Sequence, residues 1–462
     1  MTAGTIEADY LIVGAGAAGM AFADTLLTET EATIAIVDRN HRPGGHWNDA
    51  YPFVRLHQPS ATYGVNSRAL GSGRIDTHGL NQGYYELASG AEIVAYFEAV
   101  MRERFLPSGR VRYLPMTDLG ADGVAASRLS GERRAITARK TVDATWARTQ
   151  VPSARPPAFA VTPGMICEPP NALPRLAAPG ADHVVIGAGK TAIDACCWLL
   201  ENGADPDRIG WIMPRDPWLL DRGNFQTGDG FFERSAQTLA AEVEALAEAG
   251  SVDDVFLALE ARGVWRRIDP AVNPTTFHCA IVSDGELEQL RRIRNIVRLG
   301  RVNRIDADRI VLEQGDIPTG PAVLHIDCSA PGIPAHQPAA IFAGDRITLQ
   351  WVRLCQPTFS AAFIAHVEAA HDGEAEKNRL CPPIAPPQVP VDWLRMMAVE
   401  LASRQSWARE PSLGRWIAGS RLDGFSARLR ALRATDGEAV AALRRYMSAI
   451  GPAIAKLETL LA

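Results

Sequence analysis

Two stretches of this chain read as an apolar strand, a tight glycine turn and a helix, and few folds are open to a chain that contains two such units. The first spans Tyr10 to Met20, where Leu11, Ile12 and Val13 precede Gly14, Gly16 and Gly19 in GxGxxG spacing. The second spans His183 to Leu200, where Val184, Val185 and Ile186 lead into Gly187, Gly189 and Ala192, a GxGxxA variant. Such a turn lets backbone approach a pyrophosphate closely and aims a helix N-terminus at its negative charge. Two units this far apart predict an α/β protein that binds two dinucleotides on two Rossmann-like domains.

The residues after each turn refine this reading. The strand Thr33 to Val37 ends in Asp38, at the position where an acid accepts hydrogen bonds from an adenosine ribose. In the second unit the strand Arg208 to Met213 ends in Pro214 and Arg215, and no carboxylate occupies that position. A guanidinium there grips a 2′-phosphate, which favours NADP over NAD; a solvated surface arginine is the alternative. Gly189, Lys190 and Thr191 mimic the end of an NTPase P-loop, but Val184 stands where that loop needs its first glycine.

Charge and composition narrow the partners. The 47 basic and 53 acidic residues leave a net charge of -6 with no long basic run, which argues against nucleic acid or an anionic membrane. No apolar stretch reaches the ~18 residues of a membrane span. The chain enters its first strand almost at once, leaving no room for a secretory leader, so the expectation is a cytoplasmic protein. The seven cysteines, at positions 167, 196, 197, 279, 328, 355 and 381, form no CxxC pair. That argues against a redox-active dithiol and against zinc, and leaves most of them as buried apolar residues.

Residues 1–160 read as the first part of one nucleotide domain, with an irregular insertion from His41 to Gly90 and a helix from Ala91 to Phe105. Residues 161–330 read as the second nucleotide domain, inserted in the first and reached through the proline-rich connection Val151 to Pro170. Residues 331–375 read as the return to the first domain, and residues 376–462 as a helical C-terminal extension. Cys381 to Pro390, with five prolines in ten residues, reads as a stiff linker.

With both turns placed, the chain resembles the flavin-dependent monooxygenases of the flavin-containing and Baeyer-Villiger type over about residues 8 to 370. Gly44, Gly45, His46 and Trp47 are similar to that family's GGxW turn, and Tyr51, Pro52, Arg55, Pro59 and Ser60 to the YPGxRxDxPS stretch of its Baeyer-Villiger branch. The resemblance implies FAD on the first unit, held by Gly14, Gly16, Gly19, Asp38, Gly45, His46 and Trp47. It implies NADPH on the second, held by Gly187, Gly189, Lys190, Ala192 and Arg215. Gly344 and Asp345 resemble the strand-end pair that contacts the ribityl chain, with a plain turn as the alternative. Pro357 and Thr358 open a helix whose N-terminus would face the flavin N1 and C2 carbonyl.

The implied activity is oxygen transfer from O2, through a C4a-peroxyflavin, to a small organic substrate. A flavin oxidase or dehydrogenase and a noncatalytic redox sensor are the alternatives, and a homo-oligomer is left open. Three departures from the family are visible. Phe159 to Leu173 lacks the FxGxxxHxxxY fingerprint, and Trp146 replaces the glycine of an ATG-like crossover at Ala144 and Thr145. His57 replaces an aspartate or asparagine that faces the flavin; it could donate a hydrogen bond there, act as acid or base, or merely bond its own loop.

Overall fold

The structure is a computed structural model that describes residues 5–433 and 436–462; the expectation about a leader concerns residues 1–4, which lie outside the described residues. Its first sheet runs in the order Phe342–Ala343, Arg346–Thr348, Arg133–Asp143, Ile6–Val13, Ile34–Val37, Val111–Leu114. The central strand Ile6–Val13 is parallel to both neighbours, with Ile12 opposite Ile36 and Val142. All three side chains are fully buried. A parallel sheet is covered on both faces, so its strands are apolar along their length rather than alternating. The helices Ala17–Glu29 and Pro357–Ala370 pack together on this sheet. Glu368 of the latter is buried and accepts from Tyr10 Oη at 2.8 Å, Lys140 Nζ at 2.6 Å and Lys377 Nζ at 2.7 Å, so its charge is fully partnered.

A second, five-stranded parallel sheet runs Asn295–Val297, Ile209–Ile212, His183–Ile186, Leu324–Asp327, Ile166–Glu168. The chain enters it at Ile166–Glu168 and leaves from the adjacent strand Leu324–Asp327. It then rejoins the first sheet at Arg346–Thr348, parallel to Arg133–Asp143 with Ile347 opposite Val142. The second Rossmann-like unit is thus inserted in the first. The outgoing and returning crossings lie side by side: Gln150 N–H donates to the Gly332 carbonyl at 2.7 Å, and the Trp146 ring lies 5.0 Å from that of His336.

Two segments differ from the sequence expectation. The connection Val151 to Pro170 carries two short strands, Ala160–Val161 and Ile166–Glu168, each of which joins a sheet by parallel pairing. The proline-rich Cys381 to Pro390 is a packed strap over the strand Thr276–Val282, not a free linker. Cys381 and Ile384 are buried, and Phe277 N–H donates to the Gln388 carbonyl at 3.3 Å. Proline cannot extend a helix or a central strand, but its ring still buries against a sheet edge.

The C-terminal helices lie across both units. Trp393, Leu394 and Leu401 of the helix Pro390–Ala408, with Leu457 of the helix Gly437–Leu461, join Trp218, Phe256, Trp265 and Phe277 of the second unit in one buried cluster. Trp407, Leu413 and Leu422 join Phe359 and Phe363 in the core of the first. At roughly 1.5 to 3 kcal/mol for each fully buried large apolar side chain, this extension is an integral part of the fold. Among the described residues no helix is long and apolar enough to cross a membrane.

Candidate nucleotide sites

The first glycine turn is built for close approach. Gly14 has φ +103°, and a Cβ on Gly19 would overlap the Gly14 carbonyl oxygen. Gly16 faces Gly45 of the GGHW turn: a Cβ on Gly45 would lie 3.0 Å from the Gly16 Cα, and one on Gly16 would lie 3.6 Å from the Gly45 Cα. Gly44 N–H donates to the Ala15 carbonyl at 2.9 Å, joining the two turns. Asp38 is buried, accepting from Ala15 N–H at 2.5 Å and Asn40 N–H at 2.7 Å; burial pushes its carboxyl up, and those two bonds oppose the shift. Each carboxylate oxygen keeps a free lone pair for a ribose hydroxyl.

Three helix N-termini are bare where a nucleotide would need them. The helices Ala17–Glu29, Lys190–Glu201 and Pro357–Ala370 have no side-chain cap and no acid in the first turn. By contrast, Gly90–Val100 and Asp284–Leu290 are each closed by a serine and glutamate capping box, at Ser89 with Glu92 and Ser283 with Glu286. Val252–Ala261 is capped by Ser251. An uncapped terminus leaves up to four backbone N–H groups and the positive end of the helix dipole for a ligand. The buried Gln356 Oε1, at the mouth of the third helix, has no partner among the described residues.

The GGHW turn holds its rings firmly. Trp47 Nε1 donates to Tyr63 Oη at 2.8 Å, and Tyr63 packs edge-on to Phe97. His46 lies beside Trp47, its ring centroid 5.0 Å away, and burial pulls its imidazole down to about 4.

His57 is tied across the two units. Ile281 N–H donates to its Nδ1 at 3.1 Å, which places the ring proton on Nε2. Burial, with the charges of Lys190 and Arg222, pulls the imidazole down to about 3. Of the roles open in the sequence, a neutral Nε2–H donor is the one this geometry supports; a base near neutral pH is not, because Nδ1 is occupied.

In the second turn Gly187 has φ +127°, while a Cβ on Gly189 would meet nothing within 4 Å, leaving open space over the helix N-terminus. Ala192 is fully buried against the sheet. Arg215 is exposed, and its guanidinium makes no hydrogen bond or ion pair among the described residues; burial of its stem and the nearby Arg301 guanidinium pull its pKa down. Lys190 instead pairs with Asp194, which also accepts from Tyr51 Oη at 2.6 Å.

Gly344 and Asp345 are a correction. They form the exposed two-residue turn of the hairpin Phe342–Ala343 to Arg346–Thr348. Arg346 pairs with Thr141, which is level with Leu11, so the turn falls about 10 Å short of the strand ends where the glycine turns begin. Gly344 N–H is taken by Glu374 Oε2 at 2.8 Å. The plain-turn alternative is what the structure shows.

Trp211 and Arg222 also hold the site together. Trp211 is fully buried and its Nε1 donates to the Gly187 carbonyl at 2.7 Å, steadying the second turn. The need of a buried indole N–H for a partner is the one signal that pointed to it. Arg222 is fully buried, donating to Glu286 Oε2 at 2.7 Å, to Asn81 Oδ1 at 3.2 Å and to the His57 carbonyl at 3.4 Å. It locks the insertion to the second unit and is unavailable to a phosphate. Between these elements lies a cavity of about 360 Å³ lined by Phe53, Leu56, Asn81, Lys190 and Trp198.

A family model for an NAD(P)-binding Rossmann-like domain matches residues 12–67. Uncharacterized protein Rv2000 of Mycobacterium tuberculosis is 51% identical over 420 residues, covering 91% of this chain and 78% of that protein. Uncharacterized protein Mb2023 of Mycobacterium bovis matches to the same extent. Among solved structures, an open crystal structure of cyclohexanone monooxygenase matches with a TM-score of 0.50 at 14% identity, over 79% of this chain and 87% of that one. A structure of OTEMO in complex with FAD and NADP also matches with a TM-score of 0.50 at 14% identity, over 79% of this chain and 85% of that one. The chain therefore belongs to the family of Rv2000 and its counterparts, and it shares the fold of cyclohexanone monooxygenase.

Proposed function

We propose that the protein is an FAD-containing, NADPH-dependent monooxygenase that transfers one oxygen atom from O2 to a small organic substrate. The observation that carries this reading is the set of three bare helix N-termini, two of them opening at glycine turns on separate sheets. OTEMO, which shares the fold, holds FAD and NADP. When bound, FAD and NADPH supply hydride transfer and O2 activation.

The chain's own residues would bind, orient and shield. Gly14, Gly16, Gly19 and Asp38 would hold the adenosine diphosphate half of FAD. Gly45, His46 and Trp47 would border its ring, and Pro357 and Thr358 would turn the dipole of their helix toward it. Gly187, Gly189 and Ala192 would admit the NADPH pyrophosphate, Lys190 would line its approach, and Arg215 would take the 2′-phosphate. His57 would present Nε2–H as a neutral donor to a developing negative charge on oxygen. An oxidase needs a base at the substrate, and His57, with Nδ1 occupied, does not offer one.

Purified protein should be yellow, with a flavin spectrum bleached anaerobically by NADPH more efficiently than by NADH. Bleaching by an organic substrate without NADPH would establish the oxidase or dehydrogenase reading instead.

A further inference from the structure

Cys279 and Cys355, 76 residues apart, form a disulfide joining the strand Thr276–Val282 of the second unit to the segment that opens the helix Pro357–Ala370 of the first. The other five cysteines are free. Cys279 is buried, whereas Cys355 is only partly so.

Three observations give the bridge a position that matters. Two residues beyond Cys279, Ile281 donates the N–H that fixes His57. One residue beyond Cys355, Gln356 stands at the bare N-terminus of the return helix, its buried Oε1 unpartnered among the described residues. The backbone at both ends is strained as well: Cys279 has φ +56°, and Leu354, just before Cys355, has φ +24°. Neither is glycine, and an L residue persists in this region only where its surroundings over-determine it. At Cys279 the strand also slips register against Pro217–Asp221.

We propose that Cys279 and Cys355 are a redox modification site that sets how tightly the two nucleotide units are held together. Oxidised, the bridge fixes the His57 anchor relative to the mouth of the return helix. Reduced, the strained backbone on either side relaxes and Ile281 releases His57 part of the time. Formation follows thiol–disulfide exchange with a low-molecular-weight disulfide. The Cys355 thiolate attacks one sulfur of that reagent and expels the first thiol; the Cys279 thiolate then attacks the mixed bond and expels the second. Two electrons pass from the cysteines to the reagent, whose sulfurs leave as two thiols carrying the two protons. A small dithiol reverses both steps. The effect on cofactor chemistry rests on the proposed function, whereas the modification itself does not.

The test uses the full chain in three forms: oxidised with glutathione disulfide, reduced with a dithiol that is then removed, and Cys355→Ser. Denatured with excess N-ethylmaleimide, the oxidised form should take five labels and the reduced form seven. Hydrogen exchange at the Ile281 amide should be about tenfold faster in the reduced and Cys355→Ser forms, with the strand Ile6–Val13 unchanged. Seven labels on the oxidised form would overturn the proposal, as would equal Ile281 exchange in the oxidised and reduced forms. Anaerobic flavin reduction by NADPH should differ about threefold or more between the oxidised and reduced forms, as expected when one conformation is favoured over another. Labelling and exchange as expected with equal flavin reduction would uphold the modification and overturn its link to the cofactor site.

Discussion

The protonation of His57 gives a prediction with a sign and a size. Folded, its imidazole is held at about 3, against an ordinary value of 6.5 in the unfolded chain. Between those values the unfolded chain binds a proton that the folded chain does not, so this group makes the protein less stable as the pH falls below 6.5. At about 1.4 kcal/mol per pH unit, the interval from 6.5 to 5 amounts to roughly 2 kcal/mol, and solvent reaching the partly exposed ring reduces this to roughly 1 to 2 kcal/mol. His57→Gln keeps an acceptor for the Ile281 N–H and does not titrate, so its loss of stability from pH 7.5 to pH 5 should be smaller by that amount. With about 2.1 cal/mol/K per residue of unfolding entropy, a chain of 462 residues converts 1 to 2 kcal/mol into about 1 to 2 °C of Tm. Intrinsic tryptophan fluorescence during heating resolves such a shift. His46 titrates in the same window, so the quantity to read is the difference between variant and wild type. Equal Tm losses in the two proteins would mean that the folded state does not hold the imidazole neutral.

Three further outcomes follow from the site. FAD should copurify with the wild type and be absent from Gly16→Val, because branched methyls beyond a Cβ already 3.6 Å from the Gly45 Cα would part the two turns; stoichiometric flavin in the folded variant would refute the assignment of this turn. Arg215→Ala should weaken NADPH binding by about 10- to 100-fold through loss of a charge-assisted contact, while NADH affinity stays within about twofold, both read by titration. Trp211→Phe should free the Gly187 carbonyl and weaken NADPH binding severalfold, for a lost hydrogen bond of about 1 kcal/mol, with flavin content unchanged; a parallel loss of flavin would point to a general folding defect.

The two glycine turns, Asp38 and the inserted topology were legible because each rests on a short local pattern: an apolar strand, glycines at set spacing, and the residue ending the next strand. His57 was visible as a departure from a motif, but its role depends on the Ile281 N–H, 224 residues away. Gly344 and Asp345 misled because the same dipeptide closes a hairpin and ends a strand, and only pairing with Thr141 shows which. The Cys279 to Cys355 bridge follows no short spacing. The C-terminal helices showed an apolar face in the sequence, but not that this face would be shared between two cores.

The side-by-side crossings between the units also restrict how the units can move. A lone linker lets a domain twist and swing about any axis. Here twisting would shear the Gln150 to Gly332 hydrogen bond and slide Trp146 off His336, whereas bending across the pair disturbs neither. With the Arg222 contacts, the Cys279–Cys355 bridge and the shared C-terminal helices also tying the units, a nod about one line strains the crossings less than a swivel does. A nod opens or closes the gap between the two glycine turns without twisting one past the other.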